Sequence, residues 1–357
     1  MPGHPMTSTS GDRLATTFVV PADLPGPSGG TRYNEALTRA LAAAGRSVSV
    51  CGVEGRWPRP GQAGLRALHA TLAGRPQVVI DGIIASAAPA ELEAAVAAGT
   101  RVHVLFHLSL LAEGSVPPAD RAGVAARERR ALQAAHTVVC TSEWAAEDVV
   151  ARYGPLPTRV VPPGTDPAPL AVGSNPPQLL VLASLTRRKN QLTVLEALSG
   201  LEALQWRAML VGPEAAEPDY AHRVRQYAAS AFAPGRVQVE GPRTGPELDA
   251  IWAATDLALL VSRAETFGMV VTEAIARGIP AVVGAGTGSE EALAAGGGPV
   301  PGAAVAPDDP EGLHVVLRDW LQDRTRRSSW RHAAVVARDR LPTWHEAAIN
   351  MLRILDP

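Results

Sequence analysis

Val261-Ser-Arg-Ala-Glu265-Thr-Phe-Gly268-Met-Val-Val-Thr-Glu273-Ala-Ile-Ala-Arg-Gly278-Ile-Pro280 reads as the end of an apolar strand, a tight turn and a short helix. Gly268 permits close backbone approach, and the apolar spacing predicts a helix from about Met269 to Arg277, stopped by Gly278 with Pro280 beyond. The amides of Phe267 to Val270 at such a helix start form an anion site. Glu265 and Glu273 flank it, and a carboxylate repels phosphate. The pair makes sense when its oxygens accept from hydroxyls: a carboxylate grips a vicinal diol, so the segment suits a ligand with a sugar at one end, a ribose at the other and diphosphate between. Glu273 alone is better explained as a complement to the helix dipole. Glu265, in a strand-end loop, tilts the balance towards a ligand.

Outward from this segment, short β-branched runs alternate with alanine-rich helical patterns, the signature of parallel α/β units. In the first half, strands are expected at Thr16–Val20, Val48–Val53, Val78–Ile83, Val102–Phe106 and Val138–Cys140, with helices such as Tyr33–Ala44 and Ala122–Ala135 between them. A second series follows the Pro/Gly/Asn-rich stretch from Pro162 to Pro177: Leu179–Ala183, Ala208–Val211, Val237–Val239, Leu257–Val261 and Ala281–Val283. The expected class is α/β, with two Rossmann-like doubly wound domains over 15–168 and 169–340 facing each other across a cleft. A C-terminal helix within 341–357 is expected to pack back on the first domain, and the polar residues 1–14 are expected to be disordered. Ligands of such sheets bind at the carboxyl ends of the strands, so chemistry is sought in the loops that follow them.

Lys189 is the one lysine among 33 basic Lys and Arg side chains. It stands in Thr186-Arg187-Arg188-Lys189-Asn190, after an expected strand, where a compact, rotatable ammonium suits phosphate better than a planar guanidinium. A chance survivor on a solvated helix start is the competing explanation.

The formal net charge of −2 argues against a nucleic-acid partner. No Lys-rich amphipathic stretch suits anionic lipid, and no run approaches the length of a membrane span. A soluble, cytoplasmic protein is expected. Cys51 and Cys140 fall in apolar strands and read as small buried hydrophobes. His103 and His107, four apart on one strand, share a face and could form a metal site or two core histidines. Without a third ligand nearby, no metal is expected.

Together these residues resemble the retaining glycosyltransferases of family 4, which have the GT-B fold. Glu265 and Glu273 separated by seven residues, Phe267-Gly268-Met269 between them and Gly278-Ile279-Pro280 after them carry the resemblance. Ser28-Gly29-Gly30, His107, Thr141-Ser142-Glu143, Pro163-Gly164-Thr165-Asp166 and Lys189 extend it across both domains. The resemblance implies that Gly29, Gly30, Ser184, Thr266, Phe267, Gly268, Met269, Val270 and Glu273 hold the donor, while Lys189, Arg188, His107 and Glu265 serve catalysis. One departure stands out: Ala183-Ser184 occupies the place of the family's glycine-arginine pair, so either Arg187 or Arg188 reaches the phosphate in its stead, Arg188 being favoured, or the leaving group has one cation fewer.

The implied reaction is metal-independent transfer of a glycosyl group, with retention, from a nucleotide diphosphate sugar to a small soluble acceptor. UDP- or GDP-sugars are the expected donors, a natural-product intermediate is a candidate acceptor, and a homodimer is compatible with the sequence. No cofactor is expected. Acceptor choice is assigned to the loops around Trp57-Pro58, Ile83–Pro89 and Leu108–Pro118. Other readings of the same cleft are a sugar-nucleotide epimerase, a phosphorylase or a non-catalytic nucleotide-sugar sensor.

Overall fold

A computed structural model describes residues 15–24, 28–114 and 116–356; the expected disordered stretch 1–14 lies outside them. The first sheet comprises β1 (Thr16–Pro21), β2 (Val48–Val53), β3 (Gln77–Asp81), β4 (Arg101–Phe106), β5 (Thr137–Cys140) and β6 (Thr158–Val160). The second comprises β7 (Gln178–Leu182), β8 (Arg207–Val211), β9 (Val237–Glu240), β10 (Leu257–Leu260), β11 (Ala281–Gly284) and β12 (Gly302–Val305). Both are six-stranded, in the orders β2-β1-β3-β4-β5-β6 and β12-β11-β10-β7-β8-β9, and the paired strands are parallel.

In each sheet the chain reverses its direction of travel once, between β1 and β3 and between β7 and β10. The loops leaving those strands diverge to opposite faces, which opens a crevice at their carboxyl ends.

The helix Gly29–Ala43 shows why the first crevice is well defined. Ser28 caps it by accepting from the Thr31 amide at 3.1 Å. Tyr33, Leu37 and Leu41 recur every four residues and bury one stripe against Phe18, Val79, Leu105 and Val139. The helix Trp344–Leu355, opened by a capping box between Thr343 and Glu346, adds Ala347, Ala348, Met351 and Leu355 to that same cluster. The last helix of the chain therefore completes a core begun by the first strand. Its end is pinned polar to polar: the buried Arg46 guanidinium donates to both Asp356 carboxylate oxygens at 2.8 Å, and Gln77 Nε2 donates to the Leu355 carbonyl at 2.8 Å.

The strand expected over Val78–Ile83 ends at Asp81, because the Asp81 carboxylate accepts from the Ile83 amide at 3.0 Å and starts the helix Gly82–Ala85 instead. Trp57, assigned to an acceptor loop, belongs to the core: it is buried and its indole N–H donates to the Val53 carbonyl at 2.9 Å. Cys140 is buried and Cys51 half-buried, and both are free thiols. No helix of the described residues is long and apolar enough to cross a membrane.

Candidate active site

Lys189 follows β7 and Glu265 follows β10, so the reversal in the second sheet brings together two residues 76 positions apart. The Lys189 ammonium contacts Glu265 Oε1 directly. Arg188 lies beside them: its guanidinium donates to the Ala264 carbonyl at 3.0 Å, sits 3.4 Å from the same Glu265 oxygen and places Nε 3.4 Å from Glu113. Burial alone would raise the Glu265 carboxyl, but Lys189 and Arg188 outweigh it and hold the group ionised, below the usual carboxylate range. Arg188, expected to face a phosphate, bonds protein acceptors through Nη1, while its buried Nε has no hydrogen-bond partner among the described residues. Ser184 sits in the turn after β7, where its carbonyl accepts from Gln191 Nε2 at 2.8 Å.

Gly268 adopts φ +89°, a left-handed conformation that a side chain resists, and releases the helix Met269–Ala276 from the strand-end loop. The first-turn amides of that helix have no partners within it. They face a second helix start across the cleft, since a Cβ on Gly29 would come within 4.0 Å of Met269 Cε. At Gly30 the approach is closer still: an added Cβ would lie 2.9 Å from the His107 ring. Two positive helix ends therefore lie close together across the cleft, and Lys189 contacts Glu265 in the loop that leads into the second of them.

His107 follows β4, and its Nε2 lies 3.0 Å from Asn34 Oδ1 and 3.6 Å from Asp81 Oδ2. Asn34 Nδ2 in turn donates to Asp81 Oδ2 at 2.7 Å. Burial lowers the His107 pKa, and the nearby Asp81 only partly opposes this, so the imidazole is neutral at physiological pH. His103 does not share this site: its Nε2 lies 3.3 Å from Gln77 Nε2 on the neighbouring strand, inside the core. The pair is thus divided between a loop and a core, and no shared metal site forms from it.

Glu273 is half-buried, desolvation raises its pKa, and Arg32 from the helix Gly29–Ala43 pairs with it at 2.6 Å across the cleft. Arg277 donates to the Glu273 carbonyl at 2.9 Å while its guanidinium lies 4.9 Å from the Trp252 ring centre. Thr266 joins the domains more directly: its hydroxyl donates to the His107 carbonyl, and its own carbonyl accepts from Ser142 Oγ, both at 2.5 Å. Glu291 adds a carboxylate that accepts from the Glu143 and Trp144 amides at 3.0 and 2.5 Å, capping a helix of the opposite domain.

Sequence reasoning missed Arg32, Asn34, Asp81, Glu113 and Glu291. Only Asp81 carried a local signal, a lone carboxylate ending the apolar run Val78-Val79-Ile80; the others acquire partners through distant pairing.

Residues 27–169 match the family model Glycosyltransferase Family 4, and residues 165–335 match Glycosyl transferases group 1. The chain is 31% identical over 271 residues to D-inositol 3-phosphate glycosyltransferase 1 of Catenulispora acidiphila, covering 68% of this chain and 61% of the relative. It is 28% identical over 264 residues to the D-inositol 3-phosphate glycosyltransferase of Xylanimonas cellulosilytica, covering 68% and 62%. The aligned region thus spans roughly three fifths of the length of these relatives. Among solved structures, sucrose-phosphate synthase from Thermosynechococcus elongatus superposes with a TM-score of 0.75 at 20% identity, covering 95% of this chain and 98% of that one. HepE from Anabaena, solved in complex with UDP and glucose, gives a TM-score of 0.74 at 17% identity, covering 96% and 99%. Two doubly wound sheets of this order, with the two family models together matching residues 27–335, make the chain a member of the group 1 glycosyltransferases, with the GT-B fold.

Proposed function

We propose that this chain is a retaining glycosyltransferase that moves a sugar from a nucleotide diphosphate sugar to a small soluble hydroxylated acceptor. The observation that carries the reading is the space between two helix N-termini, at Gly29–Gly30 and Met269–Val270, with Lys189 held by Glu265 in the loop that leads into the second. Such a space suits diphosphate. Glu273 lies in the second turn of its helix, where a ribose diol bonded to it would direct the diphosphate towards those amides.

In the reaction the bond from the anomeric carbon to the phosphate oxygen breaks, and the acceptor oxygen attacks from the same face. The departing phosphate oxygen takes the acceptor's proton, so no protein carboxylate need become a nucleophile. Lys189 and the amides stabilise the charge that gathers on the leaving diphosphate, and they are fixed before it develops. His107, neutral and oriented by Asn34, lies beside the Gly30 backbone, where the transferred sugar would sit. A relative that acts on D-inositol 3-phosphate and a structural neighbour solved with UDP and glucose support a UDP-sugar donor and a polyol-like acceptor.

The test is thermal shift with UDP and GDP, followed by transfer assays with their glucosyl and mannosyl derivatives and inositol phosphate among the acceptors. Stabilisation by one diphosphate and acceptor-dependent release of it are expected. Binding without any transfer or hydrolysis would indicate a sensor, and turnover of the sugar nucleotide without acceptor would indicate an epimerase.

A further inference from the structure

The charges around Lys189 nearly cancel before any ligand arrives. Lys189 and Arg188 face Glu265 and Glu113, two cations against two carboxylates. A diphosphate entering beside them needs a further positive charge, and Arg188 already spends its charge on Glu265 and Glu113, with Nη1 bonded to Ala264 and its buried Nε left without a hydrogen-bond partner among the described residues.

Arg32 is differently placed. Its side chain is 52% exposed, and its ion pair is with Glu273, on the opposite wall of the cleft. It is also the fourth residue of the helix Gly29–Ala43. Helical side chains lean towards the N-terminus and cover the turn before their own Cα, so Arg32 overlies the Gly29–Gly30 amides. Rotation about its side-chain bonds alone would carry the guanidinium from Glu273 to that anion space. Glu273 would not be left without a counter-charge, because Arg277 stays beside it, bonded to its carbonyl and stacked near Trp252.

We propose that the Arg32–Glu273 pair is an exchangeable bolt across the cleft: the donor's ribose takes over the Glu273 oxygens, and the released Arg32 guanidinium turns to the donor's phosphates. This rests on the donor reading above. One ligand thereby opens the bolt with its ribose and recruits the freed cation with its diphosphate. A nucleoside supplies only the first half, and pyrophosphate only the second.

Calorimetry on the full chain separates the halves. With UDP, UMP and uridine, and GDP, GMP and guanosine in parallel, Arg32→Ala should weaken the bound diphosphate about tenfold or more, the range of a lost charge-assisted hydrogen bond, and leave its nucleoside within about twofold. Arg32→Lys should recover most of the loss. Equal weakening of nucleoside and diphosphate, or an unchanged diphosphate affinity, overturns the proposal. Inorganic pyrophosphate supplies a cycle that needs no ribose: Glu273→Gln frees Arg32 and should tighten pyrophosphate several-fold, and Arg32→Ala/Glu273→Gln should abolish that gain. A gain that persists without Arg32 is mere removal of negative charge and defeats the bolt. If wild type binds neither UDP nor GDP, the donor reading falls, while the pyrophosphate cycle still reports on the bolt itself.

Discussion

Thr266 donates its hydroxyl to the backbone carbonyl of His107 at 2.5 Å, tying the loop after β10 to the loop after β4 across the cleft. The residue before it is Glu265 and the acceptor belongs to the candidate active-site histidine, so one hydrogen bond couples both halves of the site. Replacing Thr266 by Val removes the donor and keeps the branched shape. A net hydrogen bond is worth roughly 0.5–1.5 kcal/mol, and the closed arrangement should lose about that much relative to an open one. Transfer at saturating donor should therefore fall by roughly twofold to tenfold while nucleoside diphosphate affinity changes less. A steady-state assay beside calorimetry checks this; full turnover in the variant would mean that the contact does not govern closure.

Lys189→Ala should leave the fold standing, because Arg188 remains 3.4 Å from the Glu265 oxygen that Lys189 vacates. Catalysis should suffer far more. Loss of one preorganised group facing developing charge costs about 2.7–4 kcal/mol of barrier, or about a hundredfold to a thousandfold in kcat. Unfolding midpoints and kcat measured on the same preparation test both halves of the claim, and a near-normal kcat would remove Lys189 from the leaving-group site.

Glu273→Ala is expected to act on binding. A ribose diol gripped equally in the ground and transition states contributes uniform binding, so donor KM should rise with little change in kcat. Nucleoside affinity should fall about tenfold, in keeping with lost hydrogen bonds to a charged acceptor. Uridine or guanosine binding as tightly to the variant as to wild type would take the ribose away from Glu273.

The alternation of strand and helix was legible because parallel strands buried on both faces leave near-continuous apolar runs such as Leu179-Leu180-Val181-Leu182. Two of the four edge strands, β6 and β12, were not. Thr158–Val160 is three residues long between prolines, and Gly302-Ala-Ala-Val305 lacks the β-branched signal except at its end. Lys189 and Glu265 were visible separately, one by its rarity and one by its loop, but their contact depends on the strand order that sets β7 beside β10. The pairing of Arg32 with Glu273, 241 positions apart by their residue numbers, had no sequence signal: Glu273 stood out by its spacing from Glu265, but nothing marked Arg32 as its partner.

The His103 side chain offers a test of the core beneath the site. Buried in β4, it has its pKa lowered from 6.5 to about 4, first by burial and then by the charges of Arg101 and His136. Above pH 6.5 both folded and unfolded chains carry it neutral. As pH falls from 6.5 towards 4, the unfolded state takes up a proton that the folded state refuses, so stability declines across that window, by about 2–3 kcal/mol for this group. Urea unfolding at several pH values should give a flatter profile for His103→Gln than for wild type. Parallel profiles would show that His103 titrates normally in the fold.

The last prediction joins metal dependence to stereochemistry, because both follow from how the leaving diphosphate is held. In the proposed site its charge is met by Lys189, by the first-turn amides at Gly29–Gly30 and Met269–Val270, and by Arg32 once released from Glu273. Those groups are fixed or tethered to the cleft walls, so a divalent cation would duplicate what they already supply, and transfer should survive excess chelator. The same grip keeps the departing phosphate oxygen on the face it leaves, next to the incoming acceptor hydroxyl, where it serves as the base. The product of chelator-treated enzyme should then carry the donor's anomeric configuration, read from its NMR coupling constants. Activity lost to chelator and restored by Mg²⁺ or Mn²⁺ would mean that the protein's own cations are insufficient. An inverted anomeric centre would place the attacking oxygen on the opposite face and require a protein base, for which Asp81, 3.6 Å from His107 Nε2, would become the first residue to replace.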